Sequence, residues 1–297
     1  MKLIRYGQPA REKPGILDRD GRIRDLSGLV VDISEGALLP SSLERIRDVN
    51  VEALPLVAGN PRLGACVGRV GKFICIGLNY SDHAAEARMK VPQEPIIFMK
   101  ATSAICGPND SIVVPRGSTK TDWEVELGVV IGTPAKYVAV ADALSHIAGY
   151  CVINDVSERA FQLEGNGQWT KGKSADTFGP IGPWLVTANE IADPQKLEMW
   201  LEVNGRRFQN GSTQTMIFGV AYLVSYLSHY MSLQPGDIIS TGTPPGVGMG
   251  QHPPIYLAPG DQVRLGIAGL GEQAQLVVDA PLFPPPIINP ESSRCNP

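Results

Sequence analysis

The sequence predicts an α+β, β-rich fold, and three observations carry that expectation. Gly 32 and Pro 25 among 297 residues imply many turns. Apolar runs are short, rich in β-branched residues and closed by turn residues, as at 72–77, 95–100 and 148–153. The longest helical pattern, 213–232, gathers Met216, Val220, Leu223, Val224 and Leu227 on one side, a face that belongs in a core.

Hydrophobic residues make up 43% and charged residues 19%, the balance of a chain that folds around an apolar core. A net charge of −4, from 26 basic and 30 acidic residues, argues against nucleic acid or an anionic membrane as a partner. No apolar run approaches the ~18 residues that span a bilayer, and the first residues carry no signal-peptide pattern. Five cysteines without Cys-x-x-Cys spacing fit free thiols. The expectation is a cytoplasmic protein without disulfides.

Residues 1–68 alternate short apolar runs with Gly, Asp and Pro, then a helical stretch at 41–49, and read as a small N-terminal α/β domain. Residues 69–282 form the main domain, and the Pro-rich 283–297 a tail. The central stretch is Asp122-Trp123-Glu124-Val125-Glu126-Leu127-Gly128-Val129-Val130-Ile131-Gly132. On a strand, Glu124 and Glu126 point to one face while Val125 and Leu127 point away. Two such carboxylates repel one another unless a cation compensates, or unless the face is simply wet.

Other candidates lie on either side. His83 and Glu86 are spaced i, i+3 after a strand and turn, which makes either a carboxylate-oriented general base or a surface pair. If a helix begins after the strand at 148–153, Asp155, Arg159 and Gln162 share one face at its mouth. Asp155 there completes a metal site or caps the helix. Lys173 sits in a basic turn, Trp169-Thr170-Lys171-Gly172-Lys173-Ser174, open to an anionic ligand. The loop Ser240-Thr241-Gly242-Thr243-Pro244-Pro245-Gly246 offers N–H groups and hydroxyls to a carboxylate or phosphate, although it is not a Walker loop.

Taken together, Gly77-Leu78-Asn79-Tyr80, His83 with Glu86, Glu124-Val125-Glu126, Asn154-Asp155-Val156-Ser157, Lys173-Ser174 and Thr241-Gly242-Thr243-Pro244 resemble the fumarylacetoacetate hydrolase family over roughly residues 70 to 280. The resemblance implies a mixed β-sheet roll of that family's C-terminal-domain type behind a small N-terminal domain, and a homodimer. It implies Mg2+ or Mn2+ on Glu124, Glu126 and Asp155, in keeping with the oxygen preference of a hard ion. It further implies a lid carrying the catalytic residues His83 and Glu86, with Lys173 as the third. Substrate contacts would fall to Arg159, Gln162, Thr243 and Tyr80.

The reaction implied is hydrolysis of the C3–C4 bond of a 2,4-diketo acid with release of pyruvate. The opening Arg5-Tyr6-Gly7 and 13–18 look like members acting on 2,4-diketo-3-deoxy sugar acids such as the L-fuconate or L-rhamnonate derivative. The same chemistry serves oxaloacetate decarboxylation, acylpyruvate hydrolysis, ureidoglycolate cleavage and keto–enol isomerisation. A non-catalytic 2-keto-acid-binding protein is the rival from another class, and the His83–Glu86 pair argues against it.

Overall fold

The structure, a computed structural model, describes residues 1–82 and 90–281. His83 and Glu86, the tail beyond 281 and Cys295 lie outside the described residues. The strands are β1 (Lys2–Tyr6), β2 (Lys13–Leu17), β3 (Ile23–Asp25), β4 (Phe73–Gly77), β5 (Ile96–Lys100) and β6 (Ile105–Cys106). Then come β7 (Ile112–Val114), β8 (Thr121–Asp122), β9 (Val125–Ile131), β10 (Ile147–Asn154), β11 (Ser157–Glu158) and β12 (Gly179–Thr187). The last are β13 (Glu198–Val203), β14 (Arg206–Ser212), β15 (Ile238–Ser240), β16 (Gln262–Ile267) and β17 (Gly271–Asp279).

A ten-stranded sheet runs β3-β2-β1-β12-β10-β9-β15-β4-β5 with β6 beside β12, and a five-stranded sheet runs β14-β13-β16-β17-β7. Most pairs are antiparallel, but β15–β4, β12–β6 and β17–β7 are parallel, so both sheets are mixed. The β-rich α+β expectation holds.

Strand β9 explains why the large sheet is buried on both faces. Val125, Leu127, Val129 and Ile131 enter one core, shared with Met199, Leu201, Val263 and Leu265 of the five-stranded sheet. Val130 enters the other, shared with Leu3, Ile16, Leu26, Ile33 and Leu43 of the N-terminal segment. The period of two therefore splits one continuous apolar run between two cores. The N-terminal segment also joins the sheet itself, with β1 antiparallel to β12. Residues 1–68 thus share both a sheet and a core with the strands of the main domain.

The helix expected over 213–232 is shorter. Thr213–Thr215 is a 3-10 turn and the α-helix covers Val220–Tyr230, burying Val220, Leu223, Val224 and Leu227. Tertiary partners take the intervening backbone: Ile217 N–H donates to Asn79 O (2.7 Å) and Phe218 N–H to Asn79 Oδ1 (2.9 Å). Met216 is therefore outside the helix, packed at the edge of the core. Among the described residues, no helix is long and apolar enough to cross a membrane.

Buried amides stitch the two sheets together. Gln275 Nε2 donates to Gln273 Oε1 (2.8 Å), Asn154 Nδ2 to Gln275 Oε1 (3.1 Å), and Glu124 N–H to Asn154 Oδ1 (3.2 Å). All four residues are buried, so each lost partner leaves a polar group without water. Asn154→Ala is expected to cost about 2–3 kcal/mol. Urea titration should show a lower midpoint at unchanged slope; an unchanged midpoint would mean the amide chain carries no stability.

Candidate active site and metal centre

The site forms where the chain leaves the β-ladder. Strand β8 pairs with β11, β9 pairs with β10, and Trp123 and Glu124 fall between. Their N–H groups go to side chains instead, Trp123 to Asp122 Oδ1 (2.8 Å) and Glu124 to Asn154 Oδ1, while Val125 N–H at the start of β9 goes to Gln209 Oε1 (2.9 Å). Trp123 fills the break with its ring 4.9 Å from Phe208 and its indole N–H on Gly246 O (3.1 Å). Asp155 N–H donates to Glu124 O (2.9 Å), fixing the end of β10 against the break. Glu124, Glu126 and Asp155 are thereby gathered with one carboxylate oxygen of each within 4.8 Å of the others.

Asp155 reaches this position without a helix. Ser157–Glu158 is strand β11, and the helix starts only at Arg159, capped by the Glu158 carboxylate, which accepts from Ala160 N–H (3.1 Å). The expected common helical face of Asp155, Arg159 and Gln162 is therefore replaced by a strand end plus one short helix. Arg159 and Gln162 do meet, with Nη1 donating to Gln162 Oε1 at 3.0 Å.

Three cations answer the carboxylates. Arg159 donates to Asp122 (2.8 Å) and Glu124 (2.6 Å), and Lys173 Nζ to Glu124 (2.6 Å) and Asp155 (2.8 Å). Lys100 Nζ donates to Asp155 and to Val156 O. Against Lys100, Arg159 and Lys173 stand Asp122, Glu124, Glu126 and Asp155, so with all four carboxylates ionised, as a bound cation would require, the cluster carries one excess negative charge. The unmatched carboxylate is Glu126. It accepts from Ser240 Oγ (2.6 Å) and Gly242 N–H (2.9 Å), and among the described residues it has no ion-pair partner.

The pKa shifts have their cause in this arrangement. Burial, reinforced by Asp155 and Glu124, pushes the Glu126 carboxyl well above the usual range. Burial also opposes ionisation of Glu124, but Arg159 and Lys173 override it and bring that carboxyl down to about 2. Burial works against the Lys173 ammonium too, and the charges of Asp155 and Glu124 outweigh it and hold the pKa raised. Lys173 is thus a fixed positive charge rather than a proton acceptor. Three oxygen donors with one uncompensated charge suit a divalent cation of the hard kind.

Other expectations change with the structure in view. Lys173 is not in an open basic turn: Trp169–Lys173 is a short helix and Lys173 is buried. Gly172 makes this possible, since a Cβ there would lie 2.5 Å from Gln162 Cβ and from Glu158 O. Tyr80 is not brought to the site. It is fully buried, with its hydroxyl on Met199 Sδ (3.2 Å). Thr243 is at the site, but its hydroxyl donates to Val125 O (2.8 Å) and accepts from Gln209 Nε2 (2.8 Å). Its side chain supports the loop. Lys100, Asp122 and Ser240 join the site without a sequence motif that marks them. A lysine closing the apolar run at 95–100 is one available signal, and the hydroxyl- and glycine-rich loop from Ser240 is another, since Ser240 Oγ and Gly242 N–H donate to the Glu126 carboxylate; Asp122 gives none without the fold.

A cavity of about 170 Å³ opens above the cluster. That is below the roughly 300 Å³ or more of a drug-sized site and suits a small acid. Glu124, Glu126, Arg159, Gln162, Lys173 and Thr243 are its polar lining residues.

The pattern of the fumarylacetoacetate (FAA) hydrolase C-terminal family matches residues 72–278. A Burkholderia multivorans relative, provisionally named a hydrolase, is 66% identical over 277 residues, 93% of this chain and 98% of its own. The fumarylacetoacetate hydrolase of Exiguobacterium antarcticum superposes with TM-score 0.85 at 35% identity, over 94% of this chain and all of that one. The 2-hydroxyhepta-2,4-diene-1,7-dioate isomerase of Mycobacterium marinum gives 0.72 at 34%, over 94% and 98%. Maleylpyruvate hydrolase from Sphingobium sp. SYK-6, solved with manganese(II) and pyruvate, gives 0.79 at 28%, over 95% and 100%.

Removing one cation should expose the charge excess. Lys173→Met keeps the length of the side chain but leaves Glu124 and Asp155 short of a partner, a loss of about 3–5 kcal/mol for a broken buried pair. A thermal melt is expected to show a lower midpoint and a larger stabilisation by added Mn2+ than in the unaltered protein. Equal metal-induced shifts in the two proteins would rule out a cation site at these carboxylates.

Proposed function

The chain belongs to the fumarylacetoacetate hydrolase family, and from that premise we propose that it is a divalent-metal-dependent hydrolase cleaving the C3–C4 bond of a 2,4-diketo acid to release pyruvate. The observation that carries the reading is the carboxylate trio with one excess charge, in the polar lining of a cavity sized for a small acid. Mg2+ or Mn2+ held by Glu124, Glu126 and Asp155 supplies Lewis-acid stabilisation of charge developing on the substrate, worth several kcal/mol.

The chain's own residues do the rest. Arg159 is oriented by Asp122, Glu124 and Gln162, so its guanidinium presents a fixed positive edge to the substrate carboxylate. Lys173 stays protonated between Glu124 and Asp155 and stabilises negative charge as the C3–C4 bond breaks. His83, oriented by Glu86, takes the proton from the water that attacks C4. This assignment rests on the sequence resemblance. The dimeric assembly expected from that resemblance, and the cytoplasmic location expected from the cysteine usage and the pattern of apolar runs, belong to the same proposal.

A second reading, isomerisation of a 2-hydroxydienoate, is favoured by the likeness to the M. marinum protein. It leaves all carbon in one product, so release of pyruvate from a 2,4-diketo acid decides between the two.

His83→Ala is expected to lower turnover by ~10²–10⁴-fold, the usual contribution of a general base, with much less effect on pyruvate affinity. Hydrolysis of diketo acids at near wild-type rate in this variant would sink the mechanism.

Metal affinity should depend on pH through Glu126. The cation binds the ionised carboxylate, whose pKa burial has raised, so below that pKa binding releases a proton and affinity falls about tenfold per pH unit for one linked proton. Calorimetry in buffers of different ionisation enthalpy measures the released proton. A metal affinity independent of pH would contradict the assignment of Glu126 as a ligand.

A further inference from the structure

Lys100 ends strand β5 with its side chain fully enclosed, opposite Phe73 of β4 in the register of the large sheet. It donates to Asp155 Oδ1 and to Val156 O (3.0 Å), so both contacts fall on the turn that carries the Asp155 carboxylate. The same turn is held from other directions. Asp155 N–H donates to Glu124 O (2.9 Å), Val156 N–H to Asn154 O (2.9 Å) and Ser157 Oγ to Asp155 O (2.9 Å). The ammonium is thereby fixed against the backbone of the residue whose carboxylate it binds. Turning that carboxylate about its own axis would break the contact with Lys100.

The donors also divide the oxygens of each carboxylate. On Asp155, Lys100 takes Oδ1 and Lys173 lies on Oδ2 (2.8 Å). On Glu124, Arg159 takes Oε1 (2.6 Å) and Lys173 lies on Oε2 (2.6 Å). On Glu126, Ser240 Oγ and Gly242 N–H converge on the same oxygen, Oε2, at 2.6 and 2.9 Å. One oxygen of each carboxylate is therefore bound by a donor other than Lys173. Lys173 bridges two of the remaining oxygens and marks the side on which the cluster holds positive charge. Asp155 would keep a cationic partner without Lys100, because Lys173 supplies one. What Lys100 adds is the commitment of Oδ1.

We infer that Lys100 is a positioning residue: it leaves Asp155 one oxygen for a cation, and with the matching locks on Glu124 and Glu126 it makes the site prefer a small octahedral ion to calcium. The inference rests on the divalent-metal reading and deepens it. Calcium fills roughly six to eight positions with oxygen and often takes both oxygens of a carboxylate. Magnesium and manganese accept an octahedron in which water fills what the protein leaves. A trio restricted to one oxygen apiece meets the second demand and denies the first. The rigid turn adds to this, since the larger and irregular shell of calcium needs ligands that can shift. A purely structural lysine, once removed, would weaken every ion alike. A purely electrostatic one would strengthen every divalent ion alike, because the charge removed is the same for each. Commitment of one oxygen, by contrast, moves one ion against another.

Calorimetric titration of the full chain, stripped of metal by a chelator, with Mn2+ and with Ca2+ tests this through the ratio of the two dissociation constants. Mn2+ is expected to bind the unaltered protein about tenfold or more tightly than Ca2+. Lys100→Met, which keeps the apolar stem of the side chain, should lower that advantage by about tenfold. Ser240→Ala should move it in the same direction by less, because Gly242 N–H still holds Glu126 Oε2. An unchanged or larger advantage in Lys100→Met overturns the inference, and Ser240→Ala decides in the same way if Lys100→Met does not fold. Ca2+ binding as tightly as Mn2+ to the unaltered protein overturns it too. If the unaltered protein binds neither ion, the divalent-metal reading fails and this inference with it.

Discussion

The structure depends on four buried carboxylates, Asp122, Glu124, Glu126 and Asp155, that only three buried cations answer. Each ion taken from water costs several kcal/mol, so four carboxylates under the sheet require partners placed with little freedom. Most of the neighbouring residues can be understood as those partners. Asp122 accepts from Trp123, Gly248 and Met249 N–H groups and from Arg159, so it neutralises the guanidinium and anchors the glycine-rich loop together. Asp155 has two lysines, and Glu124 has one lysine and one arginine. Glu126 alone has only neutral donors, and that asymmetry localises the excess charge at one carboxylate.

Such a cluster needs a frame that does not relax. The ten-stranded sheet gives rigidity, but a regular strand would not bring Glu124 beside Asp155. The chain solves this by leaving the ladder for two residues and replacing the lost backbone hydrogen bonds with Asn154 and Gln209. Gln209 comes from the five-stranded sheet and also holds Thr243 Oγ and Pro244 O, so the second sheet sets both the ligand strand and the loop that faces it. Stacking the sheets is thus part of building the site.

How much of this is legible in the sequence varies with the range of the interaction. The strands β4, β5 and β10 and the place of Glu126 in β9 arise from local patterning and stand close to where the pattern puts them, whereas Glu124 lies just before β9, outside the strand that its parity with Glu126 assumes. Asp155 stands at the site for a reason other than the local one that points to it, because β11 intervenes before the helix. The burial of Lys173 depends on Gly172 fitting against Gln162 and Glu158, a contact between two helices that no spacing reveals. Thr243 and Tyr80 show the same limit from the other side. A hydroxyl in the sequence looks free, and only the fold shows it engaged with Val125 O or with Met199 Sδ.

Phe98 joins the apolar and the charged lining of the cavity. A ring that contacts Trp169 also faces the Lys173 ammonium, so water driven from the apolar lining is water removed from beside the charges. Coulomb interactions strengthen as the local dielectric falls, and the ammonium and guanidinium then act on developing negative charge with less screening.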